Sequence, residues 1–426
     1  MTTSVSVVRT FAAIQAAIVS FAFALVAQPA YASPKETPTL AVAIRDTFDT
    51  WSVPLGLDPG FSVLNKLQFS ATLTGDKFGL KGWSAHAQIF RFDGQQLSAR
   101  LGDIQTADNL EAVPTIRLFE AWLARQWGEE NRSIALRAGL IDLNSQFDSV
   151  DPASLFLNSS HGIGPDMSRS GRNGPSIYPV SSPGVTLTIV PSERWTIRLG
   201  TFDGVPGDPD RPKAFVAERL GKHDGILAIM QADFQLSKNS RIEVGTWRYS
   251  ASMRAIGVGY VHDGGAYASI EAPLPIAPRL TAWVRTGVAD RHAQIVAGYF
   301  GVGAVQTGTF AARPDDRLGI AIAHAIIGSP AVATLGIAHA ETSVEASYQL
   351  KLSDRVAIQP DVQYIIHPAG VVDAPNSLGF GMRFVFSTGF PQKAKAVDPT
   401  DPTVPPDGAP TTAPADAPQT PPPSSG

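Results

Sequence analysis

The stretch Leu64-Asn65-Lys66-Leu67-Gln68-Phe69-Ser70-Ala71-Thr72-Leu73-Thr74 decides how this chain is read. Leu67, Phe69, Ala71 and Leu73 alternate with Lys66, Gln68, Ser70, Thr72 and Thr74, so an extended backbone here has one greasy face and one wet face. The same rhythm returns along the chain, while helical periods are nearly absent. Ile134, Leu136, Ala138 and Leu140 oppose Ser133, Arg137 and Gly139; Ile226, Ala228, Met230, Ala232 and Phe234 oppose Gln231, Asp233 and Gln235. Near the end, Val344, Ala346, Tyr348 and Leu350 oppose Glu345, Ser347 and Gln349, and Leu378, Phe380, Met382, Phe384 and Phe386 oppose Gly379, Gly381 and Arg383.

Working outward, about 16 such segments can be placed, an even count as in single-chain bacterial barrels. They lie near 40–54, 62–75, 82–92, 114–127, 131–141, 182–190, 193–203, 225–236, 239–249, 265–273, 278–289, 292–305, 314–327, 340–352, 355–366 and 376–387. Short turns such as 128–130, 191–192, 237–238 and 353–354 alternate with longer connections at 93–113, 142–181, 204–224, 250–264 and 367–375. Connections 290–291 and 306–313 fit that asymmetry less well. A soluble sandwich also alternates, but segment length and loop asymmetry point to an all-β, closed antiparallel transmembrane barrel with its greasy rows outward. The barrel domain is expected at 40–388, after a short lead at 33–39.

The ends agree with export. Arg9, the apolar stretch Phe11 to Ala27, and Ala30 and Ala32 before Ser33 form a signal peptide at 1–32. The chain has no cysteine, which excludes a disulfide framework, a thiolate nucleophile and a thiolate metal site. A formal net charge of -4 gives no basic field for nucleic acid, and no mature segment offers the roughly 18 apolar residues of a membrane helix. From 389 to 426 the composition is rich in Pro, Ala, Thr, Asp and Ser, that of a disordered tail, expected in the periplasm.

A barrel of this size encloses water, so inward side chains at its narrowest level set what passes. Parity turns Arg137, Arg198, Arg285 and Arg383 inward, and with Glu120, Asp361 and Gln363 these are the candidate pore-lining groups. Guanidinium, amide and carboxylate groups suit hydroxyl-rich solutes. Equally, inward charges could simply keep a lumen wet. Segment 142–181 is longer than an idle turn needs and is expected to fold inward and narrow the pore. Its candidates are Phe147, Asp148, Asp151, His161, Asp166, Arg169 and Arg172, with Asp151 as N-cap and Pro152 as first residue of a helical turn. No nucleophile elbow, phosphate-binding loop or zinc-ligand spacing appears, so no enzyme, cofactor or metal is expected, and His161 and His324 read as ordinary histidines.

Several stretches resemble the carbohydrate-selective porins of the OprB type: Arg117-Leu118-Phe119-Glu120-Ala121-Trp122-Leu123, Leu155-Phe156-Leu157-Asn158-Ser159-Ser160, Phe202-Asp203-Gly204, Arg313-Pro314-Asp315-Asp316 and Gln359-Pro360-Asp361-Val362-Gln363-Tyr364. The likeness runs in order through nearly the whole barrel. It implies a 16-stranded outer-membrane channel for passive diffusion of monosaccharides such as glucose, with Glu120, Arg137 and Arg198 as lumen positions. Partners are then small sugars and outer-membrane lipid, with homotrimer and monomer both open. The rivals are a non-selective porin and a secreted all-β glycan-binding protein. One departure stands out: outer-membrane barrels end on an aromatic, and here Phe384 or Phe386 is followed by the Pro-rich tail.

Overall fold

Extended segments leave main-chain donors and acceptors along both edges, and in a membrane only neighbouring strands can match them. The computed structural model describes residues 39–390 except 130, 258 and 278, so the expected signal peptide and the tail from 391 onward lie outside the described residues. The first eight strands are β1 (Leu40–Leu55), β2 (Gly60–Thr74), β3 (Trp83–Gly94), β4 (Thr115–Glu129), β5 (Arg132–Ile141), β6 (Ser182–Ser192), β7 (Trp195–Asp203) and β8 (Ile226–Ser237). The other eight are β9 (Ser240–Arg254), β10 (Tyr260–Pro273), β11 (Leu280–Ala289), β12 (Val296–Thr307), β13 (Arg317–Ile327), β14 (Ala340–Lys351), β15 (Val356–Ile366) and β16 (Ser377–Phe390). Each pairs antiparallel with its sequence neighbours, and β1 pairs with β16, closing a 16-stranded barrel with no free edge.

Burial settles which way the rows face. On the outer surface Phe69 is 44% exposed, Leu136 41%, Ile320 59% and Phe380 50%, while the inward Glu345 and Gln363 are 0% exposed. A soluble sandwich would show the reverse. At the short-turn edge, Arg125 lies 5.3 Å from the Trp83 ring and 4.9 Å from the Trp127 ring, and Trp195 packs 4.7 Å from Phe234. Amphipathic rings at this level mark a membrane–water interface.

Several sequence-derived boundaries move. β9 runs to Arg254 and β10 starts at Tyr260, so the connection expected at 250–264 shrinks to 255–259. That hairpin rises beyond its neighbours, where outward residues no longer need to be apolar and the alternation fades. The connections placed at 290–291 and 306–313 are 290–295 and 308–316. Gly389 and Phe390, assigned to the tail, continue β16, and Phe390 pairs with Val42; the last aromatic of the strand is therefore Phe390 rather than Phe384 or Phe386.

The outer face of β1 to β3 carries a polar patch. Asp46 of β1 and Asn65 of β2 both point outward and share a 2.6 Å hydrogen bond, and on β3 the outward Arg91 and Asp93 form an ion pair at 2.5 Å.

The orientation has a direct test in reversible folding into vesicles. Replacing Leu136 by Arg on the lipid side should cost about 2–4 kcal/mol, and Ala135→Arg, one residue away on the lumen side, should leave the folding free energy nearly unchanged.

Candidate functional site

Segment 142–181 turns into the barrel, and an irregular backbone there must find partners for its peptide groups. Some are local: the Asp142 side chain accepts from the Asn144 N–H at 3.0 Å, and Asn158 does the same for Ser160. The wall supplies the rest. Glu345 of β14 accepts the Leu157 and Asn158 N–H groups at 2.5 and 3.1 Å, Gln231 of β8 accepts that of Asp148, and Glu271 of β10 that of Asp151. In return Gln359 donates to the Leu155 carbonyl at 2.6 Å and Arg241 to that of Ser149 at 2.7 Å. Leu155 and Phe156 lie against β13 at Gly319, where a Cβ would sit 2.8 Å from each, so that close approach needs glycine.

The tightest link is electrostatic. Arg285 of β11 makes a bidentate pair with Asp148 at 3.0 and 2.7 Å and also bonds Asp166. All three are at most 3% exposed, and the guanidinium stands 5.2 and 5.3 Å from the Tyr267 and Tyr299 rings. One guanidinium fork thus clamps two points of the segment.

A second stretch, 95–114, also folds inward, which the sequence reading treated only as a long connection. Arg383 of β16 pairs with Asp49 of β1 at 2.6 Å and reaches Asp108 at 3.1 Å and Asn109 at 2.8 Å, while Trp51 donates to Asp108 at 2.7 Å. Glu341 accepts the Ile104 and Gln105 N–H groups at 2.9 and 3.1 Å. The two infolded segments are joined by Asn109 N–H to Leu157 carbonyl at 2.8 Å and Ser159 N–H to Thr106 carbonyl at 2.9 Å.

The structure therefore corrects several site expectations. Arg285, Asp361, Gln363 and Arg383 point inward as parity requires, but all four are buried: Arg285, Gln363 and Arg383 grip the infolded segments, and Asp361 accepts from Gln363 at 3.2 Å. Asp148, His161 and Asp166 sit in the seam between loop and wall rather than on the loop's free side. Burial pulls the His161 imidazole down to about 3, leaving it neutral 3.6 Å from Glu345. Asp151 precedes a 3-10 turn, Pro152–Leu155, but its side chain caps nothing and lies 3.6 Å from Arg241. Phe147 is fully buried against Phe202, Arg169 donates to the Ile104 carbonyl at 2.7 Å, and Arg172 donates to the His223 carbonyl at 2.5 Å. His324 is on the outer face, 2.8 Å from the Thr342 hydroxyl.

The inner wall that solvent reaches includes Lys66, Gln68 and Ser70 of β2, Arg137 of β5, Thr188 of β6 and Arg198 of β7, all partly exposed. Arg137 stacks 4.0 Å over Trp122, whose indole N–H donates to Glu120 at 3.2 Å; Glu120 itself is fully buried and also accepts the Asp142 N–H at 3.2 Å. Burial pushes the Asp142 carboxyl up to about 7. His86 stacks on Trp122 at 5.1 Å, and Arg198 is ion-paired with Asp233, which also accepts from Gln231 at 2.8 Å. Lys66, 4.6 Å from the Tyr178 ring, and Trp122 were not among the expected site residues, although Lys66 already stood in the wet row of β2.

Residues 58–387 match the carbohydrate-selective porin, OprB family. No curated protein sequence matches the chain. Among solved structures, the high-pH structure of Pseudomonas putida OprB is similar with a TM-score of 0.70 and 17% identity, covering 82% of this chain and 93% of that one. The low-pH structure of the same porin gives 0.52 and 15%, covering 81% and 92%. At these identities the likeness is one of fold.

Replacing Arg285 by Ala strands two buried carboxylates, a loss of about 3–5 kcal/mol in loop anchoring. Single-channel conductance of the variant should rise and become noisier, and protease should cut within 142–181, while heat-modifiable gel migration shows the barrel intact. Unchanged conductance and cleavage would refute the clamp.

Proposed function

As the chain belongs to the carbohydrate-selective porin, OprB family, we propose that it is a passive outer-membrane channel for monosaccharides such as glucose. The observation that carries this reading is the uncovered wall, where solvent reaches Arg137, Arg198, Lys66, Gln68, Ser70 and Thr188 in a lumen narrowed by a fixed loop. Guanidinium, ammonium, amide and hydroxyl groups suit sugar hydroxyls. Glu120 acts through its neighbours: fully buried, it fixes Trp122 and the entry of the loop. The lumen charges Arg241, Arg285 and Arg383 are committed to structural pairs, which fits a conduit better than an enzyme.

β1 begins and β16 ends at the short-turn edge, and we place that edge, with the chain leaving it, in the periplasm. The long connections then face outside the cell. We further propose that the barrel associates with copies of itself rather than standing alone. A lipid-facing carboxylate costs free energy in hydrocarbon, and the Asp46–Asn65 pair, continuous with Arg91–Asp93, supplies both donors and acceptors to a second copy.

Liposome swelling separates the sugar reading from a non-selective pore. Glucose should enter faster than amino acids of equal mass, and Arg137→Ala with Arg198→Ala should cut that preference about fivefold, the equivalent of one net hydrogen bond. Equal rates for both solutes in the parent protein would favour the non-selective pore.

The association has its own measurement. Light scattering in detergent should give a multiple of the chain mass for the parent and a single chain mass for Asp46→Arg with Asn65→Leu. A parent already monomeric, or a variant still associated, would remove the proposed contact.

A further inference from the structure

The outer face changes character along the β9–β10 hairpin. Val244 is apolar and exposed, but four residues on stands Arg248, and at the strand's end Arg254. Arg248 pairs in register with Gly264 of β10 and Ala228 of β8, close to where β8 begins at Ile226. The next β10 residue, Gly265, pairs with Ala289, the last of β11. Arg248 is therefore at the outer rim, and the hairpin carries Arg254 about 20 Å farther along the strand. His262, opposite Ser252, points to the same outer side.

The neighbouring connection joins this patch. The Ile256 N–H donates to the His292 carbonyl at 2.7 Å, which holds the exposed Arg291 beside the hairpin. Nearby carboxylates are turned elsewhere. Asp290 accepts the His292 N–H at 2.8 Å, and Asp263 faces inward, accepting from Gly171 at 2.6 Å. Arg248, Arg254 and Arg291 have no ion-pair partner among the described residues. On the opposite side of the barrel, by contrast, Arg91 is paired with Asp93.

We infer that this rim binds the phosphorylated headgroup of an outer-leaflet lipid. The patch lies on the lipid side, directly above apolar outward residues, so its occupant has an acyl part below and anionic groups above. A guanidinium fork matches a phosphate with two parallel hydrogen bonds. Arginines at this level cost little, whereas the same charges at the bilayer midplane would be strongly destabilising. The ladder from Arg248 to Arg254 gives successive anionic groups of one large headgroup separate contacts.

Native mass spectrometry of the full folded chain in detergent tests this with lipid A, an acylated diphosphoryl glucosamine disaccharide, as the probe. The parent should retain lipid A, and Arg248→Ala with Arg254→Ala and Arg291→Ala should weaken retention about tenfold, as should removal of the lipid phosphates. Heat-modifiable migration and glucose swelling should match the parent, and Arg132→Ala at the other edge should retain lipid normally. Equal retention by parent and triple variant, or by phosphorylated and dephosphorylated lipid, overturns the inference. Displacement of lipid A by millimolar inorganic phosphate would overturn the lipid assignment in favour of a simple anion site.

Discussion

The pairing of β1 with β16 is the constraint on which everything else rests. In hydrocarbon an unpaired peptide group costs several kcal/mol, so a sheet there has to have no edge. Register places Asp49 opposite Arg383 across this closing seam, and their buried ion pair joins the two ends of the barrel sequence. The same arginine extends to Asp108 and Asn109, so the residue at the seam also anchors the first infolded segment. Closure and narrowing of the lumen share one side chain.

The second level of organisation answers a problem created by the first. A wide closed barrel is full of water, and a loop laid across it brings in dozens of peptide groups. Inward carboxylates and amides on the wall meet them: Glu345, Glu341, Gln231, Glu271 and Gln359 each bond loop main chain. In a soluble core such buried acids would demand cations. Here main-chain N–H groups do much of that work, and arginines are kept for the points where loop carboxylates must be held.

What the sequence made legible follows from range. Alternation is local, so the outward rows, the strand count and the inward parity of Arg137, Arg198, Arg285 and Arg383 could be read residue by residue. What covers an inward residue is not local: Ile104 meets Glu341 and Asp49 meets Arg383 across most of the chain. Thus Arg285 and Gln363 were placed on the right side of the wall but under the wrong surroundings. The β9–β10 extension escaped for a different reason: beyond the bilayer neither face is forced to be apolar, so the period that marks a strand disappears while the hydrogen bonding continues.

The small residues facing inward on β12 and β13 have a geometric outcome. Gly301, Gly303, Gly319, Ala321 and Ala323 leave that arc of the cylinder thin, and Leu155 and Phe156 occupy the space gained. The inner residues that solvent reaches, Lys66, Gln68, Ser70, Arg137, Thr188 and Arg198, lie instead on β2 and β5–β7. A solute in transit brushes a crescent rather than a ring. Exchanging a handful of side chains on that crescent can retune passage while the far arc, with its clamps, goes on holding the barrel's furniture in place.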